Sequence, residues 1–152
     1  MLIFMKQLNR LLALLLIIVS TSCHFNSQFI NRMEDKDDGE KITSQFFELI
    51  MNKRYSETKK LFSPQFLKVT PWHKMENILL LTSKKLGNLK TTGIDKWETR
   101  RVEGSDPFSE YNFTYRTHYE KFDAVETFRL VREGNGVIRI LAYNVNSDGF
   151  MQ

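Results

Sequence analysis

The sequence predicts an α+β fold in which N-terminal helices pack on one face of a curved antiparallel sheet of about four strands. Two observations support this prediction. Before residue 87 the apolar residues recur at helical spacing, and after it they alternate with polar residues at every second position. Helices that precede a run of strands are typical of an α+β domain, and the 152-residue length suits one domain core.

Three helical segments are predicted before the sheet. The first covers residues 39–54, where apolar side chains share one stripe. A short second helix runs from Ser56 to Phe62, and Ser63-Pro64 marks a turn or another helical start. The third begins at Thr70-Pro71, since threonine suits an N-cap and proline the first helical position. Gly87 is placed to end it.

Strands are predicted to follow at residues 89–102, as one strand or a bent strand pair, and at residues 111–120, 122–132 and 137–146. Tight turns near residues 121–122 and 133–135 set their register. That register places several side chains on a common face, as the pairs Tyr115–Phe128, Thr117–Glu126 and Glu126–Ala142. A slip by one residue would mix apolar and polar side chains on both faces, so we prefer this register.

A carboxylate on the apolar face is a candidate functional group. Glu126 would be partly desolvated there, which raises the pKa of a carboxyl group unless donors compensate. One interpretation is an acid, a base or a polar anchor inside a pocket. The other is a structural carboxylate bonded to a tyrosine, a tryptophan N–H or a helix residue. The possible pocket residues are Tyr115, Thr117, Glu126, Phe128 and Ala142. His118 should face the opposite side, which disfavours a catalytic pair with Glu126.

Charge and composition exclude several function classes. The chain has 22 basic and 18 acidic residues, a net charge of +4, but Lys6 and Arg10 lie in the N-terminal leader and leave 20 against 18, or +2. The remaining charges alternate in sign and do not form the basic stripe of a nucleic-acid-binding surface. Three scattered histidines and one cysteine predict no metal site, no cofactor and no disulfide framework.

The first 23 residues resemble a bacterial lipoprotein signal. Lys6 and Arg10 precede an uncharged apolar run at 11–19, and small residues lead to Cys23. As a helix the run spans only about 14 Å, too short to cross a hydrocarbon core of ~30 Å. The resemblance implies cleavage before Cys23, lipid on that cysteine and attachment to a bacterial membrane. In Gram-negative bacteria His24 after the cysteine implies the outer membrane.

Three regions follow from these features. A signal peptide is predicted at residues 1–22, with translation starting at Met1 or Met5. Residues 23–39 are predicted to be the lipidated cysteine and a flexible tether, because they are polar and contain an acidic run. Residues 40–152 are predicted to form a single folded domain.

The order of three helices and a curved meander resembles the nuclear transport factor two-like, or cystatin-like, domains of some small bacterial lipoproteins. The resemblance covers residues 40–147. It rests on three strand patterns and a final aromatic residue: Tyr111-Asn-Phe-Thr-Tyr115, Glu126-Thr-Phe-Arg-Leu130, Ile138-Arg-Ile140 and Tyr143. It implies a cone-like fold with a possible pocket between sheet and helices, and no single chemistry.

Three function hypotheses remain open. The leading one is a non-enzymatic lipoprotein of the cell envelope that binds a small apolar ligand or a protein. The second is an enzyme of the cone superfamily that uses Glu126 as acid or base. The third is an immunity or protective protein that neutralises a toxin by surface contact. A closed apolar pocket containing Glu126 would favour the first two, and a flat exposed patch near Trp97 and residues 103–109 would favour the third.

Overall fold

The computed structural model describes residues 26–152, so the predicted signal peptide and Cys23 lie outside the described residues. Within that range, five strands form one antiparallel sheet in the order of the sequence. The strands are β1 (Ser27–Ile30), β2 (Leu89–Glu103), β3 (Phe108–Tyr119), β4 (Asp123–Arg132) and β5 (Ile138–Asn146). The α-helices lie between β1 and β2, and are α1 (Met33–Met51), α2 (Pro64–Val69) and α3 (Trp72–Leu86). The α+β class is confirmed, with helices packed against five strands instead of about four.

The predicted helices are present with shifted ends. The second is a 3₁₀ segment at Tyr55–Leu61. Ser63 caps α2, because its hydroxyl accepts a hydrogen bond from the backbone N–H of Phe66 at 3.0 Å. Gly87 follows α3 with a φ of +86°, a conformation that favours glycine. None of the helices within residues 26–152 is long and apolar enough to span a membrane.

The flexible tether predicted for residues 23–39 is wrong from Ser27 onward. There the chain forms β1, which pairs with residues 100–103 of β2. Helix α1 then begins at Met33, six residues before its predicted start. The folded unit therefore starts well before residue 40.

The acidic run is folded because arginines neutralise it. Asp35 is 1% exposed and accepts hydrogen bonds from Arg32 at 2.7 Å and Arg101 at 3.4 Å. Burial raises the pKa of Asp35, but the hydrogen bonds and charges of the two arginines outweigh it and lower the pKa overall. Asp38 accepts a further bond from Arg132 at 2.8 Å. The first turns of α1 are thus bound to the sheet by charge.

The strand register differs from the predicted one by two residues. Thr117 lies opposite Ala124, and Tyr115 lies opposite Glu126. The predicted pairs Tyr115–Phe128 and Thr117–Glu126 are therefore wrong, because the connection between β3 and β4 is longer than a two-residue turn. Side chains alternate with a period of two, so a shift by two keeps each of them on its predicted face.

One predicted member of the apolar face lies on the opposite side. In its pairing with β4, strand β5 carries an extra residue, Leu141. Such a β-bulge reverses the alternation of faces beyond it. Ala142 is therefore exposed and lies opposite Arg129, so its predicted pairing with Glu126 is wrong, and Tyr143 takes the core face.

The core between α1 and the sheet is rich in aromatic rings. Phe46 and Phe47 of α1 pack edge-on against Phe128, with ring centroids 5.1 and 5.4 Å apart. Phe47 also lies 4.8 Å from the ring of Tyr115. This packing covers the face of β3 and β4 that carries the candidate site.

Candidate functional site around Glu126

Glu126 lies in the middle of β4 and is fully buried. Its Oε1 accepts hydrogen bonds from the hydroxyls of Thr117 at 3.0 Å and Tyr119 at 2.7 Å. Its Oε2 accepts one from the hydroxyl of Tyr143 at 2.7 Å. Three strands therefore contribute to one hydrogen-bond network, with Thr117 and Tyr119 from β3, Glu126 from β4 and Tyr143 from β5.

Burial controls the protonation of this network. It raises the pKa of Glu126, and the three hydroxyl donors offset only part of that rise. Burial and the neighbouring carboxylate together raise the pKa of Tyr119 and Tyr143. The tyrosines therefore stay protonated at neutral pH and remain available as donors, and the carboxyl group keeps its proton to a higher pH than an exposed glutamate.

Four of the five predicted pocket residues do come together. Tyr115, Thr117, Glu126 and Phe128 are all buried on the same face. The hydroxyl of Tyr115 bonds to that of Thr43 in α1 at 2.6 Å, and burial raises the pKa of Tyr115 to about 12. These side chains form packed core, whereas the fifth predicted residue, Ala142, lies on the opposite face.

Two members of the network were not among the predicted pocket residues. The alternation along β3 places Tyr119 on the same face as Thr117, so the sequence contained a signal for it. Tyr143 reaches Glu126 only because of the bulge at Leu141, for which the sequence has no comparable signal.

A small cavity adjoins the network between α1, α3 and the sheet. Its volume is about 10 Å³, and Tyr119, Tyr143, Tyr55, Leu79 and Thr82 contribute to its wall. That volume accommodates about one water molecule, whereas pockets for small ligands are typically 300–1,000 Å³. The site can therefore hold a proton and a water beside a buried carboxyl group, but not a substrate in this conformation.

The remaining candidate residues lie away from this network. His118 is exposed on the opposite face of the sheet, as predicted, and bonds to Asp123 at 2.7 Å. His73, at the start of α3, is also exposed. No group of three or more metal-ligating side chains is assembled within residues 26–152. In comparisons with known proteins, no protein-family model and no curated protein matches the chain.

Proposed function

We propose that this protein is an exported bacterial lipoprotein, held to a membrane by lipid on Cys23, whose cone-like domain acts by binding and not by catalysis. In a Gram-negative cell its proposed location is the periplasmic side of the outer membrane. The proposed partner is another envelope protein, and a small apolar ligand is the second candidate.

The single observation that carries the anchor is the position of the only cysteine. A lone cysteine has no disulfide partner within an exported chain. Here it follows an apolar run and small residues, at the point where a signal peptide would be cleaved. Two or more acyl chains on one residue give stable anchoring, whereas one chain binds a membrane only marginally. Modification of Cys23 therefore accounts for both its position and its isolation.

The cone-like interpretation is supported by the irregularities of the sheet. The pairing of β2 with β3 shifts near residues 89–91 and again near residues 94–96, and β5 carries the bulge at Leu141. Bulges bend a strand and increase its twist. A sheet with bulges in β2 and β5 is expected to curve around the helices that cover it.

Binding is favoured over catalysis by the closed environment of Glu126. Both carboxylate oxygens already accept hydrogen bonds, and the adjoining cavity of about 10 Å³ leaves room for one water. A general acid or base must come within about 2.6–3.2 Å of the proton it transfers, and Glu126 would first have to lose a tyrosine donor. The alternative of an enzyme using Glu126 is therefore disfavoured, and so is an apolar ligand in the interior.

A surface beside Trp97 is the proposed contact site for a protein partner. Trp97 is half-buried, lies opposite the buried Phe113 and packs against the margin of the core. The neighbouring side chains of β2 border an open hollow on the other face, and tryptophan is enriched among residues that dominate binding energy. Thr99 bonds to Asn31 through its backbone C=O and N–H, but within residues 26–152 no strand pairs with the outer edge of β2 before that residue, so a partner could add a strand there. Neutralisation of a toxin, the third alternative, is one form of such contact.

Mass spectrometry of the protein purified from its native membrane tests the anchor. We expect a chain that begins at Cys23 and carries the added mass of a diacylglyceryl group, with or without a further acyl chain on its amino group. The control variant Cys23→Ser should keep its leader and carry no lipid. A mature chain without lipid would contradict the proposal.

Site-specific photo-crosslinking in cells tests the contact surface. A photoreactive residue in place of Lys96, which precedes Trp97 in β2 and lies on the opposite face, should capture one defined envelope protein, because a strand added at this edge would contact both faces. The same residue in place of Lys84, an exposed lysine of α3, serves as the matched control and should capture none. The substitution Trp97→Ala should reduce the crosslink at position 96 several-fold. Equal capture at both positions, or capture that is insensitive to Trp97→Ala, would contradict the proposed surface.

A further inference from the structure

The chain between the proposed lipid and the folded domain is short. Asn26 is already bound to the domain, since its side-chain Oδ1 accepts a hydrogen bond from the backbone N–H of Ser105 at 3.0 Å, and β1 begins at the next residue. Cys23 precedes Asn26 by three residues, which span at most about 11 Å when fully extended. The β2–β3 turn at residues 104–107 is therefore confined to the vicinity of the anchor.

A second turn lies at the same end of the sheet. The β4–β5 turn at residues 133–137 and the β2–β3 turn border one groove of about 260 Å³. Pro107 and Phe108 form one side of it, and Gly134 and Gly136 form the other. The β3–β4 turn lies at the opposite end, roughly 35 Å away along the 12 residues of β3.

Apolar side chains are exposed at the anchored end. Phe108 is 41% exposed and Val137 is 42% exposed, and Val102 lies half-buried directly opposite Phe108. Phe108, the first residue of β3, precedes the buried Ser109, and Val137 comes directly before the buried Ile138 that begins β5. Alternation therefore places both on the face away from the helical layer. Arg101 and Arg132 border the same groove, where they pair with Asp35 and Asp38 of α1, and the carboxylates of Glu103 and Glu133 line it as well. The exposed apolar side chains, and not a net positive charge, therefore suit this end to the boundary between lipid headgroups and acyl chains.

We propose that the two turns at this end, 104–107 and 133–137, rest on the lipid headgroups, and that Phe108 and Val137 enter the surface of the bilayer. The proposal rests on the lipid anchor proposed above for Cys23. A bilayer is favoured over a protein as the occupant, because a short link holds this end at the membrane at an effective concentration in the millimolar range, whatever its own affinity. Trp97, six residues before the end of β2, is then held roughly 20 Å from the membrane, where an envelope protein can reach it.

Spin labels on the full lipidated protein test this orientation. The mature chain has no cysteine besides the lipidated Cys23, so a single new cysteine gives a unique label. The variants Ser105→Cys and Asn135→Cys place a label on each turn, and Lys121→Cys places the control label at the far end. In vesicles of phosphatidylethanolamine and phosphatidylglycerol, each label collides with lipid-soluble oxygen and with a water-soluble nickel complex. The ratio of the two collision rates, the oxygen-to-nickel ratio, should be several-fold higher at 105 and 135 than at 121.

Two further variants separate the length of the link from the affinity of the patch. Inserting 20 Gly and Ser residues between His24 and Phe25 should reduce the oxygen-to-nickel ratio at 105 several-fold while the protein stays on the vesicles. In the original chain, Phe108→Ser combined with Val137→Ser should lower the ratio at 135 by a smaller factor, because the turns stay near the headgroups without entering the bilayer.

The outcomes distinguish this inference from the anchor on which it rests. A purified chain that lacks lipid by mass and does not float with the vesicles would overturn both. A lipidated chain that floats, but whose labels at 105 and 135 match the label at 121, would overturn the orientation alone. Labels shielded from both oxygen and nickel would show that a protein surface covers these turns, and would also overturn it.

Discussion

The hydroxyl of Tyr143 lies 2.7 Å from Oε2 of Glu126, and it reaches that position because β5 carries one extra residue. Without the bulge at Leu141, strict alternation would place Tyr143 on the outer face and leave Oε2 without this donor. The bulge that directs Ala142 outward therefore also completes the network around the buried carboxyl group. An irregularity of the backbone thus places a tyrosine where the sequence predicted a possible pocket.

Removing the Tyr143 hydroxyl should destabilise the fold. In Tyr143→Phe, Oε2 of Glu126 stays buried without this donor, which costs about 1–3 kcal/mol. The matched control is Tyr115→Phe, because the lost partner there is the neutral hydroxyl of Thr43, which still bonds to the carbonyl of Glu40. We expect a loss of about 0.5–1.5 kcal/mol in the control. Urea denaturation at pH 7 measures both free energies of unfolding, and equal losses would contradict a special role for the carboxyl group.

Glu126 should make the protein less stable as pH rises. Burial raises its pKa in the folded state above the ordinary 4.5, so the folded chain retains a proton that the unfolded chain releases. The contribution of Glu126 to the free energy of unfolding is therefore greatest below pH 4.5. It falls as pH rises toward the raised pKa, by up to about 1.4 kcal/mol per pH unit.

The variant Glu126→Gln isolates that effect. Glutamine has nearly the same shape and cannot ionise, and its amide can donate to the Tyr143 oxygen. We expect the free energy of unfolding of Glu126→Gln to lack the decline above pH 4.5 that is expected of the parent. Denaturant titrations across this range measure the two slopes, and parallel slopes would mean that Glu126 ionises normally in the folded state.

The fold class and the buried face could be predicted from sequence because both depend on periodicity. Alternation along β3 and β4 placed Glu126 on the apolar face and His118 on the other. The structure agrees even though the register is shifted by two. An even shift changes partners and not faces, so a prediction of faces tolerates an error in turn length.

The folded start of the domain and the partner Tyr143 could not be predicted, because they depend on contacts between distant parts of the chain and on a backbone irregularity. Asp35 is buried between Arg32 and Arg101, which comes 66 residues later in the chain. Without knowledge of that second contact, an acidic run resembles a solvated spacer. Tyr143 depends on the single extra residue in β5. Local patterns contain neither contact.

Ionisation of Glu120 should stabilise the folded state, whereas ionisation of Glu126 should destabilise it. The carboxylate of Glu120 accepts hydrogen bonds from the backbone N–H of Asn88 at 3.0 Å, from Lys90 at 2.7 Å and from the side-chain amide of Asn88 at 2.9 Å. These bonds lower the pKa of Glu120 from 4.5 to about 2. The stabilisation is therefore complete above pH 4.5 and is lost as pH falls toward 2.

In Glu120→Gln, the loss of stability between pH 4.5 and 2 should be smaller than in the parent. Thermal unfolding followed by circular dichroism at several acid pH values measures this difference. If the two melting temperatures fall in parallel, the bonds to Asn88 and Lys90 do not favour the ionised form.

Replacement of Gly39 by alanine should destabilise the fold, although this glycine lies within a helix. Alanine normally exceeds glycine in a helix by about 1 kcal/mol, but a Cβ at this position would lie 2.7 Å from the ring of Phe113 and 3.2 Å from that of Tyr111. Both rings are 1% exposed and have no free space to move into. Overpacking of this kind costs roughly 1–3 kcal/mol, so we expect Gly39→Ala to destabilise.

Gly93→Ala is the matched control, because a Cβ there would meet no atom within 4 Å. We expect it to be neutral or to stabilise by up to about 1 kcal/mol through the unfolded chain. Urea denaturation of both variants measures the contrast. A Gly39→Ala variant as stable as Gly93→Ala would mean that α1 can move away from the sheet. The arginine contacts to Asp35 and Asp38 in its first turns would then not fix its distance from β3.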